Sequence, residues 1–276
     1  MLYSSLNGKI VPAGEAVLQV NDMAIQRGYG VFDFFKVVNG KPVFLEDHLN
    51  RLYRSIDALH LSIRQNKAAL KREIESLVRK NALPECGVRI TVTGGYASDG
   101  YSIVEPNCII TVQSLQLSRT IDQGIALMTY EHLRQLPGVK TIDYLMAVSL
   151  QSFMKSKGAQ DILYYSNDMV TECPRSNFFI VNKDGVLQTP AYNVLEGVTR
   201  KKILDIAKAQ GLEAEETMLT PDDVFNAKEA FITSTTKHIL PVWQIDGKKI
   251  GSGTTGKLTR QLSESLIRLV FDAVSC

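Results

Sequence analysis

Residues 30–45 read GVFDFFKVVNGKPVFL and supply the first clear element of the fold. The segment Gly30–Val38 is rich in β-branched and aromatic residues, a composition typical of strands. It ends at Asn39-Gly40, a dipeptide that favours hairpin turns. We therefore predict a strand over Gly30–Val38 and its hairpin return over Val43–Leu45.

The surrounding pattern predicts a first half that contains both helices and strands. Apolar residues recur at helical spacing in two segments, and β-branched runs indicate three further strands. The predicted helices are Glu46–Leu61 and Lys67–Asn81, and the predicted strands are Val17–Val20, Val88–Thr93 and Cys108–Gln113. A long Gly/Ser/Asp/Tyr-rich stretch, Gly94–Asn107, is predicted to be a functional loop.

The second half follows a polar, irregular stretch, Ser114–Gln123, which we predict to be a linker between domains 1–115 and 122–276. Strands and helices alternate irregularly here, and two helices have recognisable start signals. The predicted strands are Ile125–Tyr130, Asp161–Tyr165, Asp168–Glu172, Asn177–Val181, Val186–Thr189, Glu229–Thr233 and Val242–Ile245. The predicted helices are Asp143–Lys157, Thr199–Gln210 with Thr199 as cap, one starting at Thr220-Pro221, and Gly256–Val274.

Composition excludes several classes of protein. The 276 residues are 45% hydrophobic and 22% charged, which is ordinary for a globular protein. A net charge of +2 gives no basic footprint for nucleic acid or a membrane surface. No apolar run is long enough to span a bilayer, and Met1–Gly14 lacks the pattern of a signal peptide. The four cysteines and four histidines form no metal-binding motif, so we expect a cytoplasmic protein without a metal.

Two short segments have the chemistry of an anion site. Leu195–Arg200 places a glycine and a hydroxyl residue at a predicted helix N-terminus, where free N–H groups and the helix dipole attract anions. Thr233–Thr236 places four hydroxyl residues after an apolar strand. Taken alone, the first segment is better explained by a simply capped helix, and an ordinary polar turn explains the second equally well. Taken singly, Lys140 and Glu172 also fit a surface lysine and a loop acid.

Several motifs follow one another in a fixed order, and their combination is more specific than any one of them. They are Asp47–Leu52 (DHLNRL), Lys140, Thr171-Glu172 with Ser176–Phe179 (SNFF), Gly197–Arg200 (GVTR), Ser234–Thr236 with Pro241-Val242, Gly251–Gly253 and Gly256–Thr259 (GKLT). In order and spacing they resemble the class IV pyridoxal-phosphate aminotransferases. That family includes D-amino acid aminotransferase, branched-chain aminotransferase and aminodeoxychorismate lyase, and the resemblance covers nearly the whole chain.

The resemblance implies a mixed α/β (α+β) fold of fold-type IV, with a small N-terminal α/β domain and a larger C-terminal domain that has a barrel-like sheet. It also implies pyridoxal 5'-phosphate as cofactor, amino acid and 2-oxo acid substrates, and a homodimer. The main expectation is an aminotransferase for a branched-chain or D-amino acid. An aminodeoxychorismate lyase that releases pyruvate and 4-aminobenzoate is the alternative. A non-catalytic binding protein has no chemical need for Lys140, Glu172 and Arg51 together.

By motif position, the resemblance also assigns roles to individual residues. Lys140 is implied as the Schiff-base lysine and proton carrier, and Glu172 as the partner of the pyridine nitrogen. Arg51 is implied as the phosphate arginine, and it lies off the apolar stripe of its helix, free to point away from the core. The other implied cofactor contacts are the N–H groups of Val198 and Thr199, the side chains of Ser234 and Thr235, Leu195 against the ring and Tyr144 near the ring hydroxyl.

The substrate pocket is the least determined part of the expectation. Phe32, Phe34 and Lys36 alternate along the first strand and so share a face, which the resemblance directs at the substrate. A core strand with a lysine that extends to solvent is the alternative. D-Amino acid aminotransferases carry an arginine and a histidine in the loop that corresponds to Thr93–Ser102, and this chain has neither there. The candidate carboxylate binders are Lys36, Arg175, Lys237 and His238.

Overall fold

The computed structural model describes residues 1–121 and 123–272. These residues fall into two compact units. The first contains Met1–Leu117 and a short separate segment, Val139–Asp143. The second contains the remaining described residues, 118–121, 123–138 and 144–272. Lys140 therefore belongs to the first unit although it is far along the chain from the rest of that unit.

The first unit is one antiparallel sheet with two long helices. Its elements are β1 (Tyr3–Leu6), β2 (Lys9–Pro12), a short 3-10 helix (Ala13–Glu15), α1 (Met23–Arg27), β3 (Gly30–Val38), β4 (Lys41–Pro42), α2 (Leu45–Ala58), α3 (Lys67–Asn81), β5 (Glu85–Thr93) and β6 (Cys108–Ser114). The strand order is β2-β1-β6-β5-β3-β4, and β3 pairs with β5 along its whole length.

The core of the first unit explains why these segments take these forms. The apolar stripes of α2 and α3, with Leu49, Leu52 and Leu70 fully buried, pack in one cluster with Phe35 and Val88 of the sheet. Burial of such side chains stabilises the folded state by about 1.5–3 kcal/mol each. Three polar residues of α2, His48, Arg51 and Ser55, are buried as well.

The second unit contains a ten-stranded mixed sheet. Its elements are β7 (Ile125–Glu131), α4 (Leu145–Ser149), α5 (Gln151–Ser156), β8 (Asp161–Ser166), β9 (Met169–Val170), β10 (Glu172–Cys173), β11 (Ser176–Val181), β12 (Leu187–Pro190), α6 (Val198–Ala209), β13 (Ala214–Thr217), α7 (Pro221–Phe225), β14 (Glu229–Ser234), β15 (His238–Ile245), β16 (Lys248–Lys249) and α8 (Lys257–Phe271). The order β13-β12-β11-β14-β15-β7-β8-β9 forms the main path, while β10 pairs with β11 and β16 with β15.

Most elements expected from the sequence are present, but several details were wrong. The strand expected over Asp168–Glu172 is interrupted at Thr171, so that β9 pairs with β8 and β10 pairs with β11. Val17–Val20 is not a strand, because no strand within residues 1–121 and 123–272 pairs with it and both valines at its ends are exposed. The hairpin return is β4, and Leu45 already begins α2. The helix expected over Asp143–Lys157 is split at Leu150 into α4 and α5. Gly197 rather than Thr199 is the N-cap of α6. The predicted end of the last helix, Val274, lies outside the described residues.

Within the part of the chain that the structure describes, no helix has both the length and the apolar character required to cross a bilayer.

Candidate functional site

Lys140 is held by backbone pairing to the start of strand β3. The Lys140 carbonyl accepts the N–H of Phe32 at 2.9 Å, and Ile142 N donates to Gly30 O at 3.0 Å. Lys140 N donates to the buried hydroxyl of Ser55 on α2, at 3.2 Å. The backbone of Lys140 is thus fixed from two elements, β3 and α2.

The predicted pocket face of β3 carries two cations beside one aromatic ring. Lys140 Nζ lies 4.6 Å from the centroid of the Phe32 ring, and Arg89 Cζ of β5 lies 4.0 Å from it. Phe34 stands opposite Arg89 in the β3–β5 register and is half-buried. Lys36 is only 3% exposed, and burial lowers its pKa to about 7. The alternative of a lysine that extends to solvent is therefore wrong.

Arg51 is buried and bound to an aspartate of the neighbouring strand. Its Nε donates to Asp33 Oδ2 and its Nη2 to Asp33 Oδ1, both at 2.8 Å. The expectation of a side chain free to point away from the core is therefore wrong. Arg51 lies on α2 one turn before Ser55, so a single helix carries both the predicted phosphate arginine and the hydroxyl that holds Lys140.

Glu172 is a buried carboxylate with three hydrogen-bond donors. Arg134 Nε donates to its Oε1 at 3.0 Å. Asn177 Nδ2 and the backbone N–H of Leu195 donate to its Oε2, each at 3.1 Å. Such donors favour the ionised form of a buried carboxyl group. The interpretation of Glu172 as an exposed loop acid is excluded by its burial.

The N-terminus of α6 lies beside this carboxylate network. Gly197 is its N-cap and offers no side-chain cap, so the first N–H groups of the helix are left for another acceptor. A Cβ at Gly197 would overlap Asn177 Oδ1. Glycine is therefore required here by close approach. Leu195, Val198 and Thr199 are buried at this end of the helix.

Three hydroxyl side chains of the second unit lie at or next to the end of strand β14. Ser234 and Thr235 lie at and just after the end of β14 and are half-buried, and Ser234 Oγ accepts the N–H of Lys237 at 3.2 Å. Thr233 is 2% exposed, and within residues 1–121 and 123–272 its Oγ1 has no hydrogen-bond partner. A buried hydroxyl without a partner is a common sign of a missing ligand or water.

The remaining predicted residues differ in their surroundings. Arg175 is exposed in the turn between β10 and β11. Lys237 Nζ is 3.0 Å from Asp161 Oδ2, so that cation already has a carboxylate partner within its own unit. His238 is buried, and its ring makes an edge contact with Phe271. Tyr144 is the residue that precedes α4.

Four residues of these clusters escaped the sequence reasoning: Asp33, Arg89, Arg134 and Asn177. Asn177 lies in the SNFF motif, and Asp33 lies within the predicted strand, where a charged residue among apolar ones is a usable signal of a buried ion pair. Arg89 likewise interrupts the predicted strand Val88–Thr93, whereas Arg134 has no such signal in the sequence. Their relevance depends on which side chain they contact in three dimensions.

The chemistry of the two clusters fits a phosphorylated cofactor with a protonated ring nitrogen. The first unit supplies a primary amine, Lys140, and a guanidinium, Arg51. The second supplies a buried carboxylate, an uncapped helix N-terminus and the unpartnered Thr233 hydroxyl. Carboxylates stabilise a protonated nitrogen, and helix N-termini and guanidinium groups bind phosphate. Each unit by itself therefore carries groups of the kind that bind one part of pyridoxal phosphate.

The family follows from a direct comparison. Residues 30–245 match the model of the amino-transferase class IV family. The chain therefore belongs to the class IV aminotransferases, which are pyridoxal-phosphate-dependent enzymes. The expected family and enzyme class are confirmed, whereas the lyase alternative receives no support.

Curated relatives cover nearly the whole chain. A D-alanine aminotransferase of Bacillus licheniformis is 29% identical over 266 residues, 94% of each chain. A putative branched-chain-amino-acid aminotransferase of Methanocaldococcus jannaschii is 32% identical over 273 residues, 94% of this chain and 93% of the relative.

Solved structures confirm the expected fold. The branched-chain amino acid aminotransferase of Escherichia coli is 25% identical, with a TM-score of 0.91 over 98% of this chain and 95% of that one. A branched-chain amino acid aminotransferase of T.th., complexed with N-(5'-phosphopyridoxyl)-L-glutamate, is 26% identical, with a TM-score of 0.91 over 98% and 94% of the chains. The fold is fold-type IV, with a separate α/β sheet unit and a barrel-like sheet.

Proposed function

We propose that this aminotransferase moves an amino group between a small amino acid with an apolar side chain, either branched-chain or D-amino acid, and a 2-oxo acid. The observation that carries the proposal is the buried Glu172 carboxylate, with its three donors, beside the uncapped end of α6. A fixed carboxylate beside a helix N-terminus without a side-chain cap fits a cofactor that carries both a protonated ring nitrogen and a phosphate.

The residues have separate roles in the proposed reaction. Pyridoxal phosphate, when bound, supplies an electron sink for negative charge at the substrate Cα. Glu172 holds the proton on the pyridine nitrogen, since an anion beside that nitrogen favours its protonated form. Lys140 holds the cofactor through Nζ and, once the substrate amine has displaced it, moves the proton at the substrate Cα.

Phosphate binding uses the guanidinium of Arg51 and the first N–H groups of α6. The N–H groups of Val198 and Thr199 fit this role because Gly197 does not cap them. The hydroxyls of Ser234 and Thr235 complete the proposed phosphate contacts. Leu195, whose own N–H is committed to Glu172, offers its side chain to one face of the ring.

The substrate is bound by the face of the β3–β5 pair that carries Phe32. Phe32 and Phe34 provide apolar surface. The amine of Lys36 and the guanidinium groups of Arg89 and Arg175 are the groups proposed for carboxylate binding. Arg89 joins this set because its guanidinium lies over the Phe32 ring, on the same face as the other two β3 residues. An aromatic ring below an arginine restricts the arginine to one direction.

Two observations favour branched-chain amino acids over D-alanine within this proposal. The loop Thr93–Ser102 contains neither the arginine nor the histidine expected of a D-amino acid enzyme. In addition, a relative of 32% identity and a structure with a TM-score of 0.91 carry branched-chain names. D-Alanine is tested as the second candidate, because D-alanine aminotransferases of 29–30% identity are also among the relatives.

The test is a half-reaction screen of the cofactor-loaded protein. L-Leucine, L-isoleucine, L-valine and D-alanine are each added without a 2-oxo acid, and the visible absorbance of the bound cofactor is followed. We expect the branched-chain L-amino acids to discharge it fastest. Preference for D-alanine would support the second candidate. Continuous pyruvate release from aminodeoxychorismate, without any 2-oxo acid, would contradict the aminotransferase assignment.

We also propose a cytoplasmic homodimer. Large apolar side chains are exposed on each unit, among them Val20 and Tyr101 on the first and Leu145 and Val148 on the second. The proposal of a dimer rests on the family resemblance, and exposed apolar side chains of this kind are available for such a contact. The free, buried thiols of Cys86, Cys108 and Cys173 fit a reducing compartment. Sedimentation equilibrium is expected to give twice the chain mass, and a monomer would contradict the proposal.

A further inference from the structure

A buried polar cluster lies between strand β3 and helix α2. It consists of Asp33, His48 and Arg51, of which Asp33 is completely buried. His48 and Arg51 are three residues apart on α2, so both side chains lie on one face of the helix. Besides its two bonds from Arg51, Asp33 Oδ1 lies 2.7 Å from His48 Nδ1. Arg51 Nη2 also lies 3.3 Å from His48 Nδ1.

The bonds of the guanidinium define its direction. Within the described residues, the hydrogen bonds of Arg51 all use Nε and Nη2. Nε and Nη2 occupy one edge of the planar group, and Asp33 binds that edge at two points. A two-point bond to a planar group fixes both its position and its plane. The donors of Nη1 are therefore directed by Asp33 without being used by it.

The charges of the cluster compensate one another. Burial alone would raise the pKa of Asp33, but the positive charge of Arg51 and the hydrogen bonds from Arg51 and His48 outweigh burial and hold that pKa below its ordinary value. Burial, assisted by Arg51 and Lys140, lowers the pKa of His48 despite the opposing effect of Asp33. Asp33 is therefore an anion beside a cation and a neutral imidazole. Arg51 can thus remain buried and oriented without any ligand.

We propose that Asp33 is a positioning residue for the cofactor phosphate, which acts by directing Nη1 of Arg51. This inference rests on the proposed function, in which Arg51 binds the phosphate. Asp33 itself makes no contact with the cofactor in this proposal. The ordinary alternative is that Asp33 and Arg51 form an ion pair that only stabilises the first unit. The positioning role and the purely stabilising ion pair make different predictions. If Asp33 positions Arg51 for the phosphate, its loss weakens only ligands that carry a phosphate. If the ion pair only stabilises the first unit, ligands with and without a phosphate are affected equally.

The experiment compares pyridoxal phosphate with pyridoxal on the full-length chain freed of cofactor. Dissociation constants are measured by equilibrium dialysis for the wild type, Asp33→Asn, Arg51→Ala and the double variant. Asp57→Asn removes an exposed carboxylate from the same helix and is the matched control for net charge. We expect Asp33→Asn to weaken pyridoxal phosphate about tenfold, the scale of one charge-assisted hydrogen bond, and to leave pyridoxal within about twofold.

Further outcomes separate this inference from the proposed function. In the Arg51→Ala background, Asp33→Asn is expected to cause no further loss. If Asp33→Asn weakens both ligands equally, or weakens neither while Arg51→Ala weakens pyridoxal phosphate, the positioning role is overturned and the phosphate role of Arg51 stands. If Arg51→Ala leaves the affinity for pyridoxal phosphate unchanged, the proposed role of Arg51 fails, and this inference fails with it.

A second variant covers the case in which Asp33→Asn does not fold, since an unpaired buried charge is strongly destabilising. Arg51→Lys keeps the positive charge but lacks the planar fork that Asp33 binds at two points. We expect it to lose nearly as much affinity for pyridoxal phosphate as Arg51→Ala. Wild-type affinity in Arg51→Lys would show that charge alone is sufficient and would overturn the positioning role.

Discussion

Arg134 Nε donates a hydrogen bond of 3.0 Å to Glu172 Oε1, and the other carboxylate oxygen accepts bonds from Asn177 and Leu195. The arginine is itself anchored, because its Nη2 donates to Pro137 O at 2.6 Å. Glu172 is thus held in one orientation by donors from three separate segments of the second unit. A preorganised charge of this kind requires no rearrangement when charge develops in a reaction.

Glu172→Gln is expected to retain the cofactor and to react slowly. The amide keeps the size of the side chain but loses the negative charge that favours a protonated pyridine nitrogen. Electrostatic contributions of this type commonly change kcat by about 10²–10³-fold. Single-turnover kinetics at saturating amino donor measure the effect. Glu213→Gln, at an exposed position, is the control for the change in charge. A wild-type rate in Glu172→Gln would mean that Glu172 has only a structural role.

Lys140→Ala is expected to abolish transamination, because the variant loses both the covalent anchor of the cofactor and the proton carrier. Borohydride reduction of the wild-type holoenzyme, followed by peptide mapping, identifies the labelled lysine. We expect the pyridoxyl label on Lys140 and on no other lysine. The exposed Lys155→Ala serves as control and should retain full labelling. A label at another position would contradict the assignment.

The secondary structure could be predicted where the local pattern and the tertiary contacts agree. The spacing of Leu70, Ile74 and Leu77 gave α3 with its observed bounds, and β3 was equally clear. Val17–Val20 has the composition of a strand, but whether a strand forms depends on a neighbour with which it can pair. Strand β1 was missed for the opposite reason, because Ser4 and Ser5 are polar and become buried only through pairing with β2 and β6.

The residues of the candidate site also fall into those that could be predicted from the sequence and those that could not. Lys140, Glu172 and the GVTR segment were found because several motifs stand in a characteristic order along the chain. Asp33 and Arg134 were missed, because the sequence does not show which residue is the partner of a single charged side chain. The pairs Asp33–Arg51 and Arg134–Glu172 join residues 18 and 38 positions apart. No local periodicity connects such positions.

Gly197→Ala is expected to disturb the α6 end of the site. A methyl group would overlap Asn177 Oδ1, and Asn177 Nδ2 bonds both Glu172 and the Leu195 carbonyl. The required shift should weaken cofactor binding and lower the free energy of unfolding by about 1–3 kcal/mol. Equilibrium dialysis and urea denaturation measure the two effects. Gly14→Ala, where added volume meets no atom within 4 Å, is the control. If Gly197→Ala and Gly14→Ala had the same cofactor affinity and the same free energy of unfolding, the close approach of Gly197 to Asn177 would be contradicted.

Lys36→Met tests the buried lysine of the β3 face through the pH dependence of stability. Burial lowers the pKa of folded Lys36 to about 7 from 10.5. Below the folded-state pKa both the folded and unfolded states carry the proton, and between the two values only the unfolded state does. The free energy of unfolding of the wild type therefore rises with pH over this interval, whereas Lys36→Met lacks that rise.

The stability advantage of Lys36→Met should thus be greatest at low pH and should shrink as the pH rises. Between pH ~6 and pH ~9.5 the difference between variant and wild type is expected to change by on the order of 3 kcal/mol. Urea denaturation at both pH values measures it, with the exposed Lys9→Met as control. Parallel pH profiles for the wild type and Lys36→Met would mean that Lys36 keeps its charge in the folded protein, paired or solvated at neutral pH.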